Sequence, residues 1–256
     1  MDWDPNQYLR YSDERGRPFL DLTSRIAAPA PGRVVDAGCG SGELTAVLAQ
    51  RWPGANVHGF DSSQQMIDRA GAHVTERLSF GTRDVHDWQP DETVDVLVSN
   101  AVMQWVPDHL TLLGEWADRL PAGAWFAWQV PGNFDQPSHV LMREVAASPR
   151  WVDQLSGVLR GGDSVASVPE YASVLLDRGW RTAAWETTYL QLLPGADPVL
   201  EWVRGTGLRP VLAALCDADS AEFTATYAAA LRAAYPAGPH GTAFPFRRIF
   251  CVGQKP

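Results

Sequence analysis

Nine residues, Val34-Val35-Asp36-Ala37-Gly38-Cys39-Gly40-Ser41-Gly42, join an acid to glycines at every second position. Glycines let a backbone bend sharply and come close to a ligand, which side chains would prevent. A dinucleotide turn reads G-x-G-x-x-G, and counted from Gly38 it asks for glycine at 43. The chain has Glu43 there. A carboxylate at a helix N-terminus takes the place where the dipole would attract pyrophosphate. A ligand carrying an ammonium and a sulfonium tolerates these acids better. The pattern Asp-x-Gly-Cys-Gly-x-Gly therefore points to a cationic sulfur nucleotide, and Asp36 suits its ammonium.

The pattern resembles the first motif of the class I methyltransferases, which implies S-adenosylmethionine as the cofactor. Other polar residues fall where such a ligand needs them. Asp61, 23 residues beyond Gly38, can accept both ribose hydroxyls, with Ser62 beside it. Asp84 suits the adenine amino group, and the Val85 amide lies next to the ring. Asn100 can hold the same end as Asp36. The expected cofactor contacts are thus Asp36, Gly38, Gly40, Asp61, Ser62, Asp84, Val85 and Asn100.

These residues need a scaffold that delivers them to one edge. Apolar runs at 33–36, 57–60, 78–80, 94–98 and 125–130 read as strands, and helical patterns alternate with them. Ser62-Ser63-Gln64-Gln65 reads as a capping box for the second helix. The alternation predicts an α/β fold with a doubly wound, mostly parallel Rossmann-like sheet, in which ligands bind outside the carboxyl ends of the strands. After Pro131 the rhythm changes. Helices are expected at 137–148, at 169–178 (capped by Ser167), near 198–205 and 209–216, and after Asp219; strands are expected at 187–193 and 249–253. The insertion between the last two strands is far longer than a hairpin needs, and it reads as a helical lid over the ligand crevice. One domain over 1–256 is expected, with a cofactor core at about 30–131 and cap segments at about 132–179 and 197–240.

Composition narrows the partners. Apolar residues at 45% and charged residues at 20% suit a water-soluble globular chain. The net charge of −9 disfavours nucleic acid. No apolar leader or uncharged membrane-length run is seen, so a cytoplasmic protein that does not engage membranes is expected. Three cysteines without a C-x-x-C pair and scattered histidines give no metal-ligand spacing. Lys255 is the only lysine, and its place near the C-terminus argues against a lysine Schiff base. Oligomeric state is not legible.

Longer stretches carry a sharper likeness. Trp3-x-Pro5-x-x-Tyr8-Leu9, Arg15-x-Arg17-Pro18, Asn100-Ala101-x-x-Gln104-Trp105-x-Pro107-Asp108-His109, His139 to Val145, Trp202-Val203-x-x-Thr206-Gly207-Leu208-Arg209-Pro210 and Arg248-Ile249-Phe250 are similar to the bacterial trans-aconitate 2-methyltransferase family, almost end to end. Ser41 stands where that family usually has Pro, and Arg247 is an extra cation beside the matching Arg248. The resemblance implies methyl esterification of a small polycarboxylic acid. Substrate contacts are then expected from Tyr8, Arg15, Gln104, Trp105, Trp202, Arg209 and Arg248, with local Arg forks holding the anion in an acidic protein. A carboxylate with a reference pKa of about 4 is already ionised at neutral pH, so no catalytic base is assigned. His109 reads as a surface residue at a helix start. Alternatives are O-methylation of a natural-product acid or hydroxyl, an NAD-dependent oxidoreductase, which Glu43 opposes, and a non-catalytic cofactor binder.

Overall fold

Five short strands run parallel, and three of the four connections between them carry an α-helix that crosses over the sheet. A computed structural model describes residues 12–161 and 164–256, the first four of these by their backbone alone. The elements are α1 (Ser12–Ser24), β1 (Arg33–Ala37), α2 (Glu43–Arg51), β2 (Asn56–Asp61), α3 (Gln64–Ala70), β3 (Leu78–Thr82), β4 (Val96–Asn100), α4 (His109–Arg119) and β5 (Trp125–Pro131). They continue with α5 (Pro137–Ala146), α6 (Val152–Leu155), α7 (Val168–Leu176), β6 (Arg181–Leu193), α8 (Pro198–Arg204), α9 (Arg209–Ala214), α10 (Asp217–Ala234), β7 (Ala237–Gly238) and β8 (Gly241–Gln254). The strand order is β3-β2-β1-β4-β5-β8-β6, with β7 paired to β8. The pairs β3–β2, β2–β1, β1–β4 and β4–β5 are parallel, whereas β8 lies antiparallel to β5. The doubly wound, mostly parallel sheet expected from the sequence is the one observed.

The chain divides into two compact units. The first holds residues 13–131, 165–186 and 248–256. Its core gathers aromatic rings, among them Phe60, Trp88, Trp116, Phe126, Trp128, Tyr171 and Trp180. Trp88 and Trp116 meet edge to face at 5.2 Å, and the Trp116 indole donates to the Trp88 carbonyl at 3.2 Å. Lys255 is fixed here after all: its Nζ reaches the Ala117, Asp118 and Leu120 carbonyls at 3.1, 2.9 and 2.6 Å. It caps the C-terminal end of α4, where a cation is favoured.

The second unit includes residues 132–164 and 187–247. Its core gathers Trp151, Trp202, Phe223, Tyr227, Phe244 and Phe246, and α5 packs on α10. Tyr227 OH donates to the Ser138 carbonyl at 2.5 Å, and the Ser138 amide donates to Tyr235 OH at 3.0 Å.

Several boundaries move for identifiable reasons. The cap was expected to run through 179, but α7 belongs to the first unit. Tyr171, Val174 and Leu175 give it an apolar face that joins that unit's core. The N-cap of α3 is Ser63, one residue later than the expected capping box, because Asp61 Oδ1 accepts the Ser63 amide at 2.9 Å. The helix α10 starts at Asp217, two residues before the expected opening, because the Cys216 carbonyl already accepts the Ser220 amide at 2.8 Å. His109 is a core residue, 5% exposed, its ring between the Val106 carbonyl (2.9 Å) and Tyr171 OH (3.1 Å). The last strand is 14 residues rather than five.

Candidate functional site

In the first unit, the carboxyl ends of β1, β2, β4 and β5 carry Asp36, Asp61, Asn100 and Gln129. The turn after β1 is built by glycines with left-handed backbones: φ is 81° at Gly38, 56° at Gly40 and 87° at Gly42. Their surroundings differ. A Cβ at Gly38 would stand 2.1 Å from Val102 Cγ2, and one at Gly42 would meet Phe80 and Ala70 below 3 Å. A Cβ at Gly40 would meet nothing within 4 Å among the described residues. Two glycines therefore close the turn onto its neighbours, while the middle one turns its bare backbone away from every described residue. Ser41 Oγ donates to Glu43 Oε2 at 2.6 Å, which holds the carboxylate in the first turn of α2, where a pyrophosphate would otherwise bind.

Asp61 ties the turn to the next strand. Its Oδ2 accepts the Gly40 amide at 3.1 Å while Oδ1 accepts the Ser63 amide. Each carboxylate oxygen has a second lone pair, which leaves acceptor capacity for a pair of hydroxyls. Ser62 lies exposed next to it. Asp36 is 2% exposed, and Thr45 Oγ1 donates to its Oδ2 at 2.6 Å. Burial pushes its carboxyl up to about 7; the Thr45 hydrogen bond opposes this, and the charge of Asp61 adds to it. A cation brought next to Asp36 would restore the carboxylate. Cys39 sits in the turn with its thiol pushed up by burial, so it is an inert small side chain there.

Asp84 caps a short turn. Its Oδ1 accepts the His86 amide and faces His86 Nδ1, both at 2.9 Å, and His86 Nε2 faces Asp108 Oδ1 at 3.0 Å. The carboxylate of Asp84 falls below its ordinary range because of these hydrogen bonds, and that of Asp108 for the same reason. Val85 is 9% exposed and packs in the core. His86, invisible as a motif, is the residue that fixes this edge.

At the end of β4, Ala101 takes φ 57°, a strained backbone for a residue other than glycine. It is held by the Gln129 carbonyl, which accepts its amide at 2.8 Å, and by Gln104 Nε2, which donates to its carbonyl at 2.6 Å. Gln104 is 6% exposed and braces this turn, whereas Trp105 next to it is 42% exposed. The Oδ1 of Asn100 is buried and accepts no hydrogen bond among the described residues. Arg248 is 7% exposed, and its Nη1 donates to Gln129 Oε1 at 3.3 Å. Gln129 is itself 1% exposed.

The remaining expected contacts fall elsewhere. Tyr8 lies outside the described residues, as do Trp3 and the side chain of Arg15. In the second unit, Trp202 is 2% exposed and packs against Phe244 and Phe246 at 5.8 and 5.4 Å, so its burial is explained by packing. Arg209, half-buried, begins α9. The extra cation, Arg247, is tied to the segment after β5. Its amide donates to Asn133 Oδ1 at 2.8 Å, its carbonyl accepts from Asn133 Nδ2 at 3.0 Å, and Nη1 donates to the Gly132 carbonyl at 3.3 Å. Sequence reasoning missed Thr45, His86 and Gln129. Only Gln129 left a trace there, as the one polar residue of an otherwise apolar strand.

A methyltransferase domain family model matches residues 10–183. A trans-aconitate 2-methyltransferase of Streptomyces coelicolor is 53% identical over 264 residues, covering 99% of this chain and 87% of that protein. One of Rhodococcus jostii is 51% identical over 255 residues, covering 98% and 99%. The chain belongs to the trans-aconitate 2-methyltransferase family. Among solved structures, a putative methyltransferase of Haloferax volcanii, in complex with its Trm112 activator, is similar in fold. It superimposes with a TM-score of 0.55 at 21% identity, over 99% of this chain and 95% of that one. For a member of this family, the open space at Gly40, the buried acceptor at Asn100 and the acids Asp36 and Asp61 fit a cofactor with a cationic methionyl end and a ribose. The chain is an S-adenosylmethionine-dependent methyltransferase.

Proposed function

We propose that the protein transfers the methyl group of S-adenosylmethionine to a carboxylate of trans-aconitate, forming a methyl ester. The observation that carries the acid half of this reading is Arg248, a guanidinium 7% exposed at the carboxyl end of the sheet. A guanidinium is charged at any working pH, and a carboxylate in its fork gains charge-assisted hydrogen bonds worth about 1.5–3 kcal/mol each. In a chain of net charge −9, that local cation replaces long-range attraction.

The cofactor supplies an electrophilic methyl on sulfur. The chain supplies placement: Asp36, Asp61 and Asn100 for the cofactor's cationic and ribose ends, and Arg248 for the acid. A carboxylate oxygen is a nucleophile without losing a proton, so holding it in line at about 3–3.5 Å and excluding water is the work required. Proton transfer is not needed in either direction. The test is a panel of di- and tricarboxylates with methyl-labelled cofactor. Label in an ester of trans-aconitate is expected; label appearing only in hydroxyl acceptors, or in none, refutes the reading.

A further inference from the structure

The end of β5 holds an amide that the cofactor contacts do not use. Gln129 is 1% exposed in a strand whose other interior positions are apolar. Its Oε1 accepts Arg248 Nη1 at 3.3 Å. A guanidinium has no acceptor, so it fixes which end of the amide faces it and turns Nε2 the other way. That nitrogen is buried and makes no hydrogen bond among the described residues. Asn100 is the register partner of Gln129 on β4, and its Oδ1 is buried and equally without a donor. A spare donor and a spare acceptor on paired residues would satisfy each other if they met. They do not, and a buried polar group left unmatched costs stability.

The two orphans have opposite sense. A spare carbonyl oxygen suits an ammonium, whereas a spare N–H beside a guanidinium suits an anion. We propose that Gln129 is a substrate-positioning residue: Oε1 holds the Arg248 fork in place, and Nε2 donates to the carboxylate that Arg248 binds. This rests on the reading of Arg248 as the acid's partner. An amide adds a donor without adding charge, so the pocket gains direction while Arg248 keeps its full attraction. A carboxylate, with four lone-pair sites on two oxygens, can accept from the fork and the amide together. A single hydroxyl oxygen accepts fewer bonds and leaves one of them unmade. The pair therefore selects carboxylate over alcohol acceptors.

The experiment uses the full chain with Gln129→Met, which keeps volume and removes both contacts, and Gln129→Glu, which keeps shape and adds charge. KM and kcat for trans-aconitate are measured beside the equilibrium Kd of S-adenosylmethionine. Gln129→Met is expected to raise the acid's KM about tenfold, and Gln129→Glu about a hundredfold, because its carboxylate neutralises Arg248 and repels the substrate. The cofactor Kd should stay within about twofold in both. An unchanged acid KM in either variant overturns the assignment, and so does a parallel loss of cofactor binding, which would mark Gln129 as a structural residue. Wild-type protein that fails to methylate trans-aconitate would instead sink the parent reading, so the two failures are told apart.

Discussion

Thr45 Oγ1 donates to Asp36 Oδ2 at 2.6 Å inside the fold, where both residues are buried. The hydroxyl offsets part of the burial that lifts the Asp36 carboxyl to about 7. The folded-state pKa lies above the ordinary carboxylate value of 3.8, so this group weakens the fold as pH rises through that interval. A cationic ligand group beside it reverses the preference. Cofactor binding should therefore release a proton below pH 7 and tighten with pH. The Kd of S-adenosylmethionine is expected to fall about tenfold between pH 5.5 and 7, read by calorimetry in buffers of different ionisation enthalpy. Asp36→Asn should flatten the curve, and Thr45→Val should move its midpoint upward. A flat wild-type profile would remove Asp36 from the cofactor's cationic end.

The glycine turn gives a contrast between two substitutions that look alike in sequence. Gly38→Ala drives a methyl to 2.1 Å from Val102 at φ 81°, and about 2–3 kcal/mol of destabilisation is expected from overlap and backbone strain together. Gly40→Ala meets no atom of the described residues within 4 Å and should cost about 1 kcal/mol for its left-handed backbone. Its methyl fills the space a ligand needs, so cofactor affinity should drop about tenfold. Thermal melts and cofactor titrations of the two variants separate them; equal stability losses would contradict the packing described.

The strands that position these residues were legible because their pattern is local: an apolar run leads into a polar residue four times, at Asp36, Asp61, Asp84 and Asn100. The glycine turn after β1 was legible for the same reason. What escaped needed contacts across the chain. Thr45 and Asp36 are nine positions apart, and Gln129 meets Arg248 across 119; neither spacing has a periodic signature. His109 followed a proline-aspartate helix start, which resembles a surface cap, yet Tyr171 draws it inward. The passage from one compact unit to the other at residue 165 was hidden because the α7 capping box, with Ser167 and Glu170 reciprocally bonded, marks where a helix begins and not which core its apolar face joins.

Lys255 shows a second effect of long-range contact. Three carbonyls at the end of α4 converge on its ammonium, and its Nζ lies 5.8 Å from the Trp180 ring. Lys255→Met is expected to lower stability by about 1–2 kcal/mol, seen as a shifted urea midpoint with an unchanged slope. Turnover of the folded enzyme should be untouched. A variant as stable as wild type would mean that water serves those carbonyls as well as the lysine does.

The most direct measurement of the central claim is kcat/KM for methyl transfer into trans-aconitate by wild-type protein and Arg248→Ala, with the cofactor Kd taken in parallel. Loss of one charge-assisted contact worth about 1.5–3 kcal/mol corresponds to a fall of about 10- to 150-fold. That fall is predicted for the acid, with cofactor binding held within about twofold. Equal losses for acid and cofactor, or a wild-type enzyme that leaves trans-aconitate unmethylated, would contradict it.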